Sequence, residues 1–340
     1  MRCTWAHPVG GAGVQTGILR HWTRNFCGNL KVLFNQKGAI MPFAVSEDGV
    51  KLHYQEVGSG TALVFAHEMT GDSRIWEPQM RYFGRLYRCI SFDARGYAPS
   101  DIPSMPSDYS QERAADDLAA LLRHLEIECA HVVGLSMGAY TALHFGIRHA
   151  AMARSLVVAG CGHGSARDVA EIWPAQAERF AERLEKEGMP AVASDYASSA
   201  YRVQFKDKDP RGWREWAERL AEHSAEGLSR SVREVQAKRP SVLDLEESLR
   251  LLQVPTLLVV GDEDEPTLEM NLYLKRTLPF AGLEIFSKTG HAVNSKEPAK
   301  FNAAVEGFLH KVVLGRWQIR SDEGRHTEVW LPGDETVMSK

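Results

Sequence analysis

The sequence predicts an α/β fold: a mostly parallel central sheet with helices on both faces, and an inserted helical cap. Three observations predict it. Short apolar runs alternate with helix-period stripes from about residue 43 onward. After Gly160 the alternation gives way to helix signals alone. At Val254-Pro255 the apolar runs resume. Repeated strand–helix–strand units require crossovers, and crossovers place helices on both faces of a parallel sheet.

The elements follow in chain order. Lys51-Leu-His-Tyr-Gln-Glu-Val57 alternates apolar and polar residues, as a half-exposed strand does, and ends in the turn Gly58-Ser59-Gly60. Ala62–Ala66 is short and wholly apolar, the mark of a strand covered on both faces. Cys89–Phe92, Ala130–Val133, Ser155–Ala159 and Thr256–Val260 read the same way. Ala114, Leu118, Leu121, Leu122 and Leu125 recur at helical spacing, with Ser110 or Asp108 available as N-cap. In the insertion, Trp173, Ala177, Phe180 and Leu184 form one stripe closed by Gly188. Asp209-Pro210 reads as an N-cap followed by proline at N1, with Trp213, Trp216 and Leu220 on the face behind it. Phe301, Val305, Phe308 and Leu309 mark a last helix. The expected division is an N-terminal extension (1–40), a first core segment (41–162), the cap (163–250), a second core segment (251–314) and a polar tail (315–340) anchored by Trp317 and Trp330.

Bulk properties narrow the function classes. The chain has 340 residues, 44% of them hydrophobic, enough for a large core without disulfides. Its formal net charge is −4 and it has no long basic run, so nucleic acid is not an expected partner. Five scattered cysteines, Cys3, Cys27, Cys89, Cys129 and Cys161, form neither a disulfide framework nor a zinc pattern. A reducing, cytoplasmic setting is expected. No apolar stretch reaches the roughly 18–20 residues of a membrane span. Residues 1–40 carry Arg2, Arg20, Arg24, Lys31 and Lys37, and no acid precedes Glu47. They read either as a basic targeting segment or as an extension ahead of a start at Met41, poorly ordered in both cases.

The chemistry centres on Gly134-Leu135-Ser136-Met137-Gly138. The pentapeptide is a weak signal alone, but it follows an apolar strand and precedes the helix pattern of residues 139–145. That is the setting of a nucleophile elbow, a strained strand-to-helix turn that exposes the serine hydroxyl. Serine needs a general base, and histidine titrates near neutral pH. Of 13 histidines, His291 in Thr289-Gly290-His291 is best placed, on a loop after the apolar segment 283–286. A carboxylate must fix the imidazole tautomer. Asp262, Glu263, Asp264 and Glu265 all follow the strand at 256–260, and spacing does not choose among them.

The order Ser, Asp, His resembles that of the α/β-hydrolase family, and the resemblance runs from about Phe43 to Val313. The family's G-x-x-D segment matches Gly261-Asp262-Glu263-Asp264, which implies Asp264 as the acid with Asp262 second. Phe92-Asp93-Ala94-Arg95-Gly96-Tyr97-Ala98-Pro99-Ser100 is similar to its structural D-x-R-G-x-G-x-S turn, so Asp93 is not the acid. Ala66-His67-Glu68-Met69-Thr70-Gly71 is similar to its H-G-x-x-G oxyanion loop, with Glu68 in place of the first glycine. The resemblance implies oxyanion donors at the backbone N–H groups of Met69 and Met137. A carboxylate there would oppose the oxyanion unless paired. Arg95 and Arg74 are the expected partners of Glu68, and contact with a polar or cationic substrate group is the alternative.

These residues imply a serine hydrolase that cleaves an ester or lactone through an acyl-enzyme. The implied relatives are carboxylesterases, enol-lactonases and meta-cleavage C–C hydrolases. C–C bond hydrolysis and ligand binding without catalysis are the alternatives. Glu68, Trp76, Trp173 and Tyr201 are the expected substrate contacts, with Met69 and Met137 beside them. A small or medium carbonyl compound with an apolar portion is the expected partner. No metal or organic cofactor is implied, and no H-E-x-x-H pattern occurs at His67-Glu68. Oligomeric state is not legible.

Overall fold

The computed structural model describes residues 42–319, so the expectations for residues 1–40 and for Trp330 lie outside it. Eight strands form one sheet: β1 (Phe43–Val45), β2 (Lys51–Val57), β3 (Ala62–Ala66), β4 (Arg88–Phe92), β5 (Ala130–Leu135), β6 (Ala153–Ala159), β7 (Thr256–Gly261) and β8 (Ala281–Phe286). Their order across the sheet is β1-β2-β4-β3-β5-β6-β7-β8. The pairs β1–β2 and β2–β4 are antiparallel, and all other pairs are parallel. Strands β3, β5 and β7 are buried at every position, which is why they read as unbroken apolar runs. In β2 only Leu52 and His53 are buried, and Gln55, Glu56 and Val57 are exposed.

Helices close both faces. The first, α1 (Glu77–Phe83), lies on one side, and α2 (Gln111–His124) and α3 (Met137–Arg148) lie on the other. Ser110 is the N-cap of α2, accepting from the Arg113 N–H. Leu118, Leu121 and Leu122 of α2 join Ala139 and Leu143 of α3 in one apolar layer with Val64, Val132 and Leu258 of the sheet.

Between β6 and β7 the chain makes seven helices: α4 (Arg167–Ala170), α5 (Trp173–Glu187), α6 (Met189–Ala197), α7 (Ala200–Lys208), α8 (Pro210–Ala221), α9 (Ala225–Arg230) and α10 (Glu246–Leu251). A π-helical turn, Ser231–Gln236, continues α9. Gly188 ends α5 with φ 78°, a conformation open to glycine. The Asp209 side chain caps α8 by accepting from the Gly212 N–H, with Pro210 at the first helical position. Ala177, Leu184, Val192, Phe205, Trp216 and Leu220 form a separate apolar cluster that meets the core through Tyr97 and Met137. The last of these helices, α10, buries Leu249 in the core layer instead.

After β7 the fold resumes its alternation with α11 (Glu265–Thr277), then β8, α12 (Val293–Lys296) and α13 (Pro298–Val313). Phe301, Val305, Phe308 and Leu309 of α13 pack with Phe83 of α1 against Leu63, Val133 and Leu257. Trp317 anchors the described end of the chain, its ring 4.6 Å from Phe308 and its Nε1 donating to Phe280 O. Among the described residues no helix is long and apolar enough to cross a membrane.

Candidate active site

Strand β5 leads directly into α3 through Ser136, whose φ of 56° and ψ of −110° mark a strained elbow. The flanking glycines make this turn possible. A Cβ on Gly134 would lie 2.0 Å from Gly138 O, and one on Gly138 would lie 2.1 Å from Ala66 O. Both contacts are with backbone that cannot move aside without opening the sheet. The hydroxyl therefore stands at the carboxyl end of the central strand, where the N-terminal amides of α3 are also aimed.

Two loops from neighbouring strand ends meet this hydroxyl. His291, on the loop after β8, lies with Nε2 2.8 Å from Ser136 Oγ. Its Nδ1 lies 2.8 Å from Asp264 Oδ2, on the loop after β7. Asp264 keeps the proton on Nδ1, which leaves Nε2 as the acceptor facing Ser136. Thr267 Oγ1 donates to the same Asp264 oxygen at 2.5 Å. Burial acts to raise the Asp264 carboxyl, but the His291 and Thr267 contacts hold it below its ordinary value. The runner-up, Asp262, instead accepts from the Thr289 N–H at 3.1 Å and so braces the histidine loop. Asp93 is engaged elsewhere, accepting from the Ser73 N–H at 2.7 Å and contacting His53 Nδ1 at 2.6 Å.

The N–H groups of Met69 and Met137 have no hydrogen-bond acceptor among the described residues. Their loop is fixed around them. The His67 ring donates from Nδ1 to Glu68 O at 2.7 Å and accepts from the Ala94 N–H at 3.0 Å. Tyr97 Oη donates to Met69 O at 2.9 Å.

Above these residues is a pocket of about 160 Å³. Its core wall holds Glu68, Met69, Ser136 and His291; its cap wall holds His163, Trp173, Phe180, Tyr196, Tyr201 and Val232. Trp173 and Tyr201 thus lie where the sequence places them. Trp76 does not. It is fully buried between Phe65 and Phe301, under the opposite helical layer, because the short 3₁₀ turn Ser73–Trp76 points its ring away from the pocket. The expected partners of Glu68 also need correction. Arg95 pairs with Asp48 and Asp117, and Arg74 with Asp72 and Glu222. Glu68 pairs instead with Arg202 of α7, Nη2 to Oε2 at 2.7 Å. That partner is far along the chain and sits in the cap, so no local signal marks it.

Sequence reasoning also missed His163, Gln236 and Arg239. His163 lies between Gly162 and Gly164 at the end of β6, a glycine-flanked histidine at a strand terminus that could have flagged it. Burial pushes it down to about 4, so its ring is neutral at pH 7. Arg239 stacks 3.8 Å from the Tyr140 ring and donates to Gln236 Oε1 and His163 O. Among the described residues no group of three or more His, Cys, Asp or Glu could hold a metal ion.

Comparison with known proteins agrees with this fold. The family model described as alpha/beta hydrolase fold matches residues 61–298. The chain is 26% identical over 253 residues to 3-oxoadipate enol-lactonase 1 of Acinetobacter baylyi, covering 74% of this chain and 89% of that one. It is 25% identical over 279 residues to 2-hydroxy-6-oxononadienedioate/2-hydroxy-6-oxononatrienedioate hydrolase 2 of Pseudomonas putida, covering 76% and 92%. A thermophilic esterase from Thermogutta terrifontis superposes with a TM-score of 0.69 at 25% identity, covering 81% of this chain and 99% of that one. The chain belongs to the alpha/beta hydrolase fold family.

Proposed function

We propose that the protein is a serine hydrolase that cleaves an ester or lactone of a small to medium carbonyl compound. The observation that carries this reading is the hydrogen-bonded line from Ser136 through His291 to Asp264, at the floor of a mainly apolar pocket. His291 Nε2 takes the proton of Ser136 as Oγ attacks the carbonyl carbon. The carbonyl π pair moves onto oxygen, and the N–H groups of Met69 and Met137 donate to it. Collapse breaks the acyl C–O bond, and His291 gives its proton to the departing alkoxide. Water then loses a proton to His291 and attacks the acyl-enzyme carbonyl; the acyl C–O bond to Ser136 breaks, His291 returns the proton to Ser136 Oγ, and the acid leaves. In a lactone the alcohol stays tethered to the product.

Residues 41–162 and 251–314 act as the catalytic core, and residues 163–250 as the cap that shapes the pocket. The described cysteines Cys89, Cys129 and Cys161 are free thiols, which suits a reducing, cytoplasmic setting. No cofactor enters the mechanism. A second reading is C–C bond hydrolysis. The similarity to the Pseudomonas putida hydrolase favours it, and the same three residues would serve. The test is turnover of p-nitrophenyl esters, lactones and ring-cleavage dienoates by the wild type and Ser136→Ala. Full activity in the variant refutes the assignment, and turnover of dienoates alone selects the second reading.

A further inference from the structure

The oxyanion loop is held from the cap. Arg202 is fully buried, and Glu68 is 4% exposed. One nitrogen of Arg202, Nη2, donates to both Glu68 Oε2 at 2.7 Å and Thr70 Oγ1 at 2.6 Å. These two acceptors flank Met69. From α8, Trp216 Nε1 donates to Thr70 O at 3.0 Å, and the Arg202 guanidinium lies 4.3 Å from the centre of the same Trp216 ring. The residues on both sides of one expected oxyanion donor are therefore fixed by two cap side chains. The Met69 carbonyl is fixed by Tyr97.

The charge balance matters as much as the geometry. Glu68 lines the pocket beside Ser136 and His291. Its burial acts to raise the carboxyl, but the Arg202 charge holds it below the ordinary range, so it is ionised at pH 7. An unpaired carboxylate at this position would repel the negative oxygen formed during attack. Lys296 of α12 adds a weaker electrostatic pull on Glu68, but its Nζ donates to Tyr201 O and not to Glu68. A buried ion pair is also a weak means of stabilising a fold, since desolvation offsets most of its attraction. Keeping one here is better explained by what it does to the adjacent site.

We infer that Arg202 is a positioning residue for the oxyanion hole: from the cap it holds the loop on both sides of Met69 and cancels the charge of Glu68. The inference rests on the serine hydrolase reading. It assigns the cap helices α7 and α8 a part in the chemical step, beyond enclosing the substrate.

The test uses the full chain, p-nitrophenyl acetate and a fluorophosphonate probe. Wild-type labelling at Ser136 checks the underlying reading; a wild type that neither labels nor turns over refutes that reading and this inference with it. With labelling established, Arg202→Met is expected to lower kcat and the labelling rate on the order of 10²–10³-fold, the cost of losing an oxyanion donor, with KM changed less than about threefold. Glu68→Gln/Arg202→Met removes the stranded charge and is expected to recover about tenfold of that loss. A pair that served folding alone would give no such rescue. A double variant no faster than Arg202→Met overturns the inference, as does a loss confined to KM. If Arg202→Met does not fold, Thr70→Val carries the test, because it removes only the second acceptor of Nη2. A roughly tenfold lower kcat at unchanged KM supports the inference, and a wild-type kcat overturns it.

Discussion

The two walls of the pocket are built on different physical terms. The core wall comes from loops at the carboxyl ends of β3, β5 and β8, where the backbone of the sheet sets each position. Gly134 and Gly138 admit no Cβ, and Asp264 and Ser136 each lie within hydrogen-bond reach of His291. The cap wall comes from the faces of α5, α6 and α7 and from the π-helical turn after α9. Ala177, Phe180, Tyr196 and Val232 serve both the pocket and the packing of the cap. Hydrogen bonds on that wall tie its residues mainly to one another, as in Trp173 Nε1 to Gln236 O. The core wall is thus suited to a fixed reaction geometry and the cap wall to selecting what is processed. Arg202 and Trp216 cross between them, and they do so at the oxyanion loop.

If this contrast holds, core-wall substitutions will remove turnover and cap-wall substitutions will redistribute it. The largest expected effect is Ser136→Ala, with turnover reduced by about 10⁴-fold or more in a protein whose circular dichroism and melting are unchanged. Asp264→Asn follows at about 10⁴-fold, by loss of the imidazole tautomer. Asp262→Asn, which keeps an oxygen to accept from the Thr289 N–H, should stay within about tenfold of wild type. Equal kcat values for the two asparagine variants would break the assignment of the acid.

Stability separates the walls from the layers behind them. Trp76→Ala is expected to cost about 3–5 kcal/mol in urea unfolding, because the ring is fully enclosed, and to leave KM unchanged in the folded fraction. A changed substrate preference would return Trp76 to the pocket. The core also carries His131 and His144, which burial pushes down to about 4. Both are neutral in the fold and take up protons near pH 6.5 once unfolded. Their contribution to stability is full above pH 6.5 and falls as pH drops toward 4, by on the order of 2–3 kcal/mol each. Urea midpoints across this range, with proton uptake on unfolding, measure it; a flat profile would contradict the burial of these rings. The smallest effect belongs to the cap wall. Trp173→Ala should shift kcat/KM among ester and lactone substrates by about tenfold, mainly through KM, while p-nitrophenyl acetate turnover persists.

The same contrast explains what was legible beforehand. Sheet strands buried on both faces read as unbroken apolar runs, so β3, β5, β6 and β7 and their order in the chain were evident. The elbow was evident because its glycines answer a local steric demand. The stop at Gly188 and the cap at Asp209 are likewise local. Trp76 was misplaced because an aromatic residue near a functional loop has two faces of the sheet open to it, and only the direction of a short 3₁₀ turn decides between them. The partner of Glu68 was misassigned because nearby arginines were weighed, whereas the guanidinium that reaches it comes from 134 positions away.

By itself the sequence determined the backbone-dictated parts: an α/β fold with an inserted helical segment, the strand-to-helix elbow at Ser136, and a histidine and an acid on the loops after the last two strands. Periodicity and glycine placement are local physical demands, so they are written locally. The tertiary structure decided what depends on distance in space. It put Asp264, and not Asp262, beside His291, placed Trp76 under the opposite helical layer, and brought Arg202 against the loop at Glu68 and Thr70. Such contacts arise from how helices pack on the sheet, and no spacing within the chain encodes them.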